Sequence, residues 1–149
     1  MNNDKAEIFV LLADDDIDDC HLFADALGEL KLPVRLDCAV NGVDLMKRLN
    51  GESRLPDLVF LDINMPLKNG MECLVEIKQS KFLTKIPVIM FSTSAQKDVV
   101  DIAYGRGADI FVKKPDSFST LKQILGKILN MNWQQPGRKV SKEDFLTDL

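Results

Sequence analysis

Asp62 stands directly after the apolar run "LVFL" (58–61), and Asp14, Asp15 and Asp16 stand directly after "IFVLLA" (8–13). Two further runs also end in polar groups: "VIMF" (88–91) leads into Ser92-Thr93, and "IFV" (110–112) into Lys113-Lys114-Pro115. If these runs are neighbouring strands, their carboxyl ends gather carboxylates, hydroxyls and an ammonium in one crevice. Carboxylates so gathered repel each other, by about 4 kcal/mol for a pair roughly 4 Å apart at an effective dielectric near 20, and need a cation. Oxygen-only donors suit a hard divalent ion such as Mg2+, with Mn2+ as a substitute; zinc would prefer the His and Cys ligands that are missing. A carboxylate beside such a metal is a competent nucleophile toward phosphorus, which makes Asp62 a candidate for an aspartyl phosphate. Phosphoryl transfer asks mainly for positioning and charge stabilisation, which Mg2+, Lys114 and the Ser92 hydroxyl would supply. An already ionised Asp62 needs no separate base.

The four runs are continuous, as expected of parallel strands covered on both faces. By contrast "VRLDCAV" (34–40) alternates, so it reads as a half-exposed strand at an edge. Between the strands, apolar residues recur at helical spacing: Phe23, Ala26, Leu27 and Leu30; Val43, Met46 and Leu49; Met71, Leu74 and Ile77; Val99, Val100 and Ala103; Leu121, Ile124, Leu125, Ile128 and Leu129. Asp16, Asn41, Ser94 and Asp116 or Ser117 are candidate N-caps, and Gly105 and Gly107 can end the helix that contains Tyr104. Five βα units in this order predict an α/β fold, a doubly wound, flavodoxin-like sheet with strand order 2-1-3-4-5. Its functional crevice lies beyond the carboxyl ends of the first and third strands, where the acidic residues stand.

Composition excludes several classes. With 149 residues the chain fits one domain and needs no disulfide or structural metal to fold. Its 46% hydrophobic and 28% charged residues are ordinary for a globular protein, and a net charge of −4 with scattered lysines argues against a direct nucleic-acid partner. The N-terminal apolar run has no basic region before it and is too short for a signal peptide or a membrane span, so no membrane insertion is expected and the chain reads as cytoplasmic. Cys20, Cys38 and Cys73 form no CxxC pair and read as small buried thiols. His21 has no partner at ligand spacing and reads as a helix-face residue.

The acidic pair Asp14-Asp15, "LVFLDINMPLKNG", Ser92 after "PVIMF" and Lys114-Pro115 after "ADIFV" together resemble the receiver domain of two-component response regulators, over about residues 6–130. The resemblance implies that Asp62 is the phosphoacceptor and that Asp14, Asp15, Asp62 and the main-chain carbonyl of Asn64 hold the metal. It makes Ser92 the switching hydroxyl, Lys114 the phosphate-binding lysine, Phe111 the aromatic rotamer switch and Lys114-Pro115 a cis peptide. It implies a sensor histidine kinase or histidine phosphotransfer protein as donor, a downstream protein target, and a signalling protein rather than an enzyme. No output domain follows in the sequence, so the chain is similar to stand-alone receivers of the chemotaxis and phytochrome-associated types, with "DDDIDD" leaning to the latter.

Two positions keep second readings. Phe111 is also a plain core position, and Thr93 stands where the family usually has a smaller residue. The tail, 131–149, either frays or forms a short helix: Ser141 with Asp144 resembles a capping box, and Phe145, Leu146 and Leu149 could share an apolar face packed on the last helix or on a second copy in a homodimer. Among rival functions, a haloacid-dehalogenase-like phosphatase wants an acid where Asn64 stands. A flavodoxin-type carrier wants a hydroxyl-rich loop where the aspartates stand. A receiver that binds partners without phosphorylation is the remaining alternative.

Overall fold

The continuous apolar runs form the interior strands β1 (Ile8–Ala13), β3 (Leu58–Leu61), β4 (Val88–Ser92) and β5 (Ile110–Lys113), and the alternating run forms β2 (Val34–Ala39). The computed structural model describes residues 7–51, 54–133 and 145–147. All pairings are parallel and the order is β2-β1-β3-β4-β5, as the sequence predicts, with a sixth strand β6 (Leu146–Thr147) added beside β5. Helices α1 (Ile17–Leu30), α2 (Gly42–Gly51), α3 (Gly70–Gln79), α4 (Lys97–Gly105) and α5 (Phe118–Leu129) connect the first five strands and follow the last of them.

Because side chains alternate along a strand, each interior strand feeds two cores. Val10, Leu12, Phe60, Phe91 and Val112 face α1 and α5, where Phe23, Phe60 and Phe91 meet edge to face with ring centroids 4.9 to 6.2 Å apart. Leu11, Val59, Leu61, Met90 and Phe111 face the other way, onto Leu45, Leu49, Leu74, Ile77 and Ala103 of α2, α3 and α4. Each fully buried side chain of this size contributes roughly 1.5 to 3 kcal/mol, so the two cores fix the strands firmly against each other.

Register then carries the strand ends to one place. Ala13 lies opposite Leu61, so Asp14 and Asp62 follow as neighbours, and the Asp62 N–H donates to the Ala13 carbonyl at 3.0 Å. Ser92 lies opposite Lys113, and the Lys114 N–H donates to the Ser92 carbonyl at 2.8 Å.

Several local expectations are corrected. The N-cap of α4 is Gln96 rather than Ser94, because the Ser94 N–H is turned onto Ser92 Oγ in the preceding bend. Asp16 and Ser117 cap α1 and α5, and Asn41 Oδ1 accepts from Asp44 N–H at the start of α2, as expected. Asn69, at the start of α3, makes a full capping box with Glu72. No peptide among the described residues is cis, so the Lys114-Pro115 bond is trans. The trans form is the intrinsically favoured one by about 0.5 to 1 kcal/mol, and in it the Lys114 side chain already reaches its carboxylates.

In the tail, Leu146 pairs with Phe111 in a strand rather than lying on a helix face, and the pairing is with β5 rather than with α5. Phe145 is buried, its ring 5.1 Å from Tyr104 and 6.3 Å from Phe111, so the segment is drawn to the sheet edge by an aromatic contact. Ser141, Asp144 and Leu149 lie outside the described residues.

One close approach holds the loop after β3 against the site. A Cβ at Gly70 would overlap the Asp62 carbonyl oxygen and crowd Ile63 Cα, whereas Gly28, on the exposed side of α1, has open space around it. Gly70→Ala is expected to lower stability by about 1 to 3 kcal/mol and to displace Asp62, while Gly28→Ala raises it by about 0.5 to 1 kcal/mol. Urea denaturation of the two variants checks both signs.

Candidate functional site

Strand ends expose backbone groups and admit polar side chains; here Asp15 is exposed, but Asp14 and Asp62 are not at the surface. Asp14 is 1% exposed, Asp62 7% and Ser92 0%, and these are the buried polar or charged side chains among the described residues. Asp14 Oδ1 accepts from the Asp16 N–H at 2.9 Å, and Asp62 Oδ1 from the Ile63 N–H at 2.7 Å. The backbone thus fixes one oxygen of each and leaves the other to face the crevice.

Lys114 fills the space between them. Its ammonium donates to Asp14 Oδ2 at 2.8 Å, Asp62 Oδ2 at 3.1 Å and Asp19 Oδ2 at 2.8 Å. It also lies 5.5 Å from the centre of the Phe91 ring. Burial alone would lower the Lys114 pKa, but the hydrogen bonds to Asp14 and Asp19 and the charge of Asp62 outweigh it and hold the ammonium above its ordinary range. Burial raises Asp14 from 3.8 to about 6, against the lowering effect of the Lys114 and Asp16 hydrogen bonds.

Oxygens of Asp14, Asp15 and Asp62 lie within 4.8 Å of one another. The ammonium bonds three carboxylates, Asp14, Asp19 and Asp62, and with the neighbouring Asp15 the local net charge is −4 + 1 = −3 when all are ionised. That excess, in an all-oxygen donor set, fits a hard divalent cation.

The sequence-derived residues are therefore brought together in large part. Asp14, Asp15, Asp62 and Lys114 converge, and Ser92 sits buried at the end of the adjoining strand with its Oγ accepting from Ser94 N–H at 3.2 Å. Asn64 is exposed in the loop after β3. Farther along that loop Leu67 has a φ of 71°, and the Lys68 N–H closes a three-residue turn on the Pro66 carbonyl. Phe111 does not border the crevice; it is wholly buried in the α2, α3 and α4 core beside Phe145. Pro115 lines a cavity of about 230 Å³ that adjoins Lys114.

Asp19 is the residue that sequence reasoning missed. Its signal was present: with Asp16 as N-cap, Asp19 falls at the third helical position, in the first turn and near the strand end, but acidic residues there read as partners of the helix dipole.

The pH dependence follows from Asp14. Its folded pKa of about 6 exceeds 3.8, so the folded state favours its protonated form; that stabilisation is complete below about pH 3.8 and is lost as pH rises through about 6. Without divalent metal, Asp14→Asn is expected to be more stable than the native chain by about 1 to 3 kcal/mol at pH 7.5, with the difference shrinking below pH 4. Denaturant titrations of both chains at the two pH values, in chelator, check the sign.

The geometry has counterparts in known proteins. A family model, response regulator receiver domain, matches residues 10–126. Response regulator Rcp1 of Synechocystis is 32% identical over 121 residues, which cover 78% of this chain and 82% of Rcp1. Among solved structures, a phosphorylated cyanobacterial phytochrome response regulator, RcpA, superposes with a TM-score of 0.77 at 32% identity, covering 83% of this chain and 91% of that one. The Mn2+-bound form of response regulator Rcp1 gives 0.76 at 27% identity, covering 90% and 99%. The chain spans only 59% of the length of one longer relative, a probable C4-dicarboxylate response regulator of Bacillus subtilis. It spans 39% of another, a protein-glutamate methylesterase/protein-glutamine glutaminase of Clostridium acetobutylicum.

Proposed function

We propose that this chain, which belongs to the response regulator receiver family of two-component signalling proteins, accepts a phosphoryl group on Asp62 and thereby changes its binding to a downstream protein. The donor is a sensor histidine kinase or a histidine phosphotransfer protein. One observation carries the reading: the buried polar side chains of the described residues, Asp14, Asp62 and Ser92, all belong to one crevice, beside the buried part of Lys114. Charge is rarely kept out of water without a partner, and this set lacks enough positive charge of its own.

In the reaction the ionised Asp62 carboxylate attacks phosphorus, a P–O bond forms, and the P–N bond to the donor imidazole breaks with its electron pair leaving on nitrogen. Asp14, Asp15, Asp62 and the Asn64 carbonyl would hold Mg2+, or Mn2+ in its place. The ion, when bound, neutralises charge on the phosphoryl oxygens. Lys114 gives up its bonds to Asp14 and Asp62 and donates to a phosphoryl oxygen. Ser92 Oγ serves as acceptor for Ser94 N–H, so its hydrogen is free to be donated to another phosphoryl oxygen. Attack of water on the same phosphorus later forms a new P–O bond and breaks the one to Asp62, which restores the carboxylate and releases inorganic phosphate, so the chain takes part in its own dephosphorylation and acts on no separate substrate.

The switch starts at Ser92. Drawing its hydroxyl toward the phosphoryl group strains the Ser94 bond and moves the segment between β4 and α4, and Phe111, whose ring meets Phe145, then turns toward the space vacated. The receiver unit runs over about residues 6–130, and a histidine-kinase partner of this kind places it in the cytoplasm. No helix among the described residues is long and apolar enough to cross a membrane.

Intact mass after incubation with acetyl phosphate, with and without Mg2+, tests the reading. A single Mg2+-dependent phosphoryl adduct is expected on the native chain and none on Asp62→Asn. A folded native chain that takes up no phosphoryl group is a phosphorylation-independent binding module instead.

A further inference from the structure

We propose that Asp19 is a positioning residue, which keeps the Lys114 ammonium beside the acceptor once Asp14 and Asp62 have turned to metal and phosphoryl group. The proposal rests on the phosphoacceptor reading above and adds a role for a side chain outside the metal-binding set.

Three observations support it. An ammonium has three N–H donors, and those of Lys114 are divided among Asp14, Asp19 and Asp62 at 2.8, 2.8 and 3.1 Å. Asp14 and Asp62, with Asp15, form the group able to hold a metal; Asp19 lies outside that group, so its bond to Lys114 is the one that metal and phosphoryl binding need not break. Lys114 also has somewhere else to go. The cavity of about 230 Å³ beside it is lined by Asp19, Leu22, Phe91, Lys114, Pro115 and Phe118 among others, wide enough for a lysine side chain to swing into.

The geometry of α1 makes Asp19 suited to this. Its backbone is held in the first helical turn by the Asp16 cap, and its side chain is 31% exposed, so it reaches Lys114 from the rim of the crevice. Lysine has a long, flexible stem with much rotamer freedom to lose, and a fixed carboxylate removes part of that freedom before the phosphoryl group arrives. Asp19 also brings a negative charge near an incoming dianion, an effect of opposite sign. Substitution separates the two: Asn removes the charge and keeps an oxygen acceptor, whereas Ala removes both.

The measurements are the rate of phosphorylation by acetyl phosphate, the affinity for beryllofluoride in Mg2+, and the affinity for Mg2+ alone by calorimetry, on native chain, Asp19→Asn and Asp19→Ala, with folding followed by circular dichroism. Asp19→Ala is expected to slow phosphorylation and weaken beryllofluoride binding by about tenfold, the size of one charge-assisted hydrogen bond. Asp19→Asn should stay within about threefold of native, and Mg2+ affinity should change by less than about threefold in both. Faster phosphorylation of both variants would mean that Asp19 acts by repulsion and would overturn the proposal. So would an Asn variant as slow as the Ala variant, or a loss of Mg2+ affinity matching the loss of rate. A native chain that forms no adduct removes the phosphoacceptor reading and this proposal together, whereas a labelled native chain with an unaffected Asp19→Ala removes the role of Asp19 alone.

Discussion

Asp14 and Asp62 lie side by side at the ends of β1 and β3, almost out of water, and each holds one oxygen against a backbone N–H and the other against Lys114. Keeping both charged costs mainly their lost hydration, with their mutual repulsion a smaller part, and a single ammonium bonded to both leaves the pair with a net negative charge. The rest of the molecule is arranged around that charge. The β1 and β3 register makes the two residues neighbours, the Ser92 carbonyl anchors the Lys114 backbone, and a glycine at 70 allows the loop after β3 to close onto the Asp62 main chain. A site with this excess of negative charge is poised to gain from a divalent ion and then from a group that draws on the same lysine.

The crevice also stands between two cores. On one side Phe91, part of the edge-to-face trio with Phe23 and Phe60, presents its ring to the Lys114 ammonium. On the other, Phe111 of β5 is buried in the α2, α3 and α4 core and touches Phe145. Ser92 itself is fully buried at the end of β4, in an interior too closely packed to absorb a displacement smoothly.

What the sequence made legible had strong local signals. Continuous apolar runs against one alternating run gave the interior and edge strands, and the polar residue after each run gave Asp14, Asp62, Ser92 and Lys114, because strand ends in a parallel sheet share a side. What it hid depended on distance or on weak local preference. Leu146 and Thr147 make too short a strand for any periodicity, and their place is set by Phe145 meeting Tyr104 and Phe111. Ser94 looks like a cap but lies in a bend controlled by Ser92. The Lys114-Pro115 peptide is trans, a small preference that residue types alone do not decide. Asp19 was masked by neighbours that serve the helix dipole, since only the fold shows that a lysine 95 positions away arrives beside it.

That separation matters while the chain is being made. Lys114 is 100 positions from Asp14 and 52 from Asp62, and synthesis runs from the N-terminus, so both carboxylates leave the ribosome long before the ammonium that meets them. Until β5 docks, the nascent sheet is held by its apolar faces against its own charge, and closing so long a loop is among the slower events in folding. Completion of the crevice and docking of β5 are then one event. A chain that stops short of β5 carries Asp62 without the lysine that meets it, so the charged set is complete only once the first five strands stand side by side.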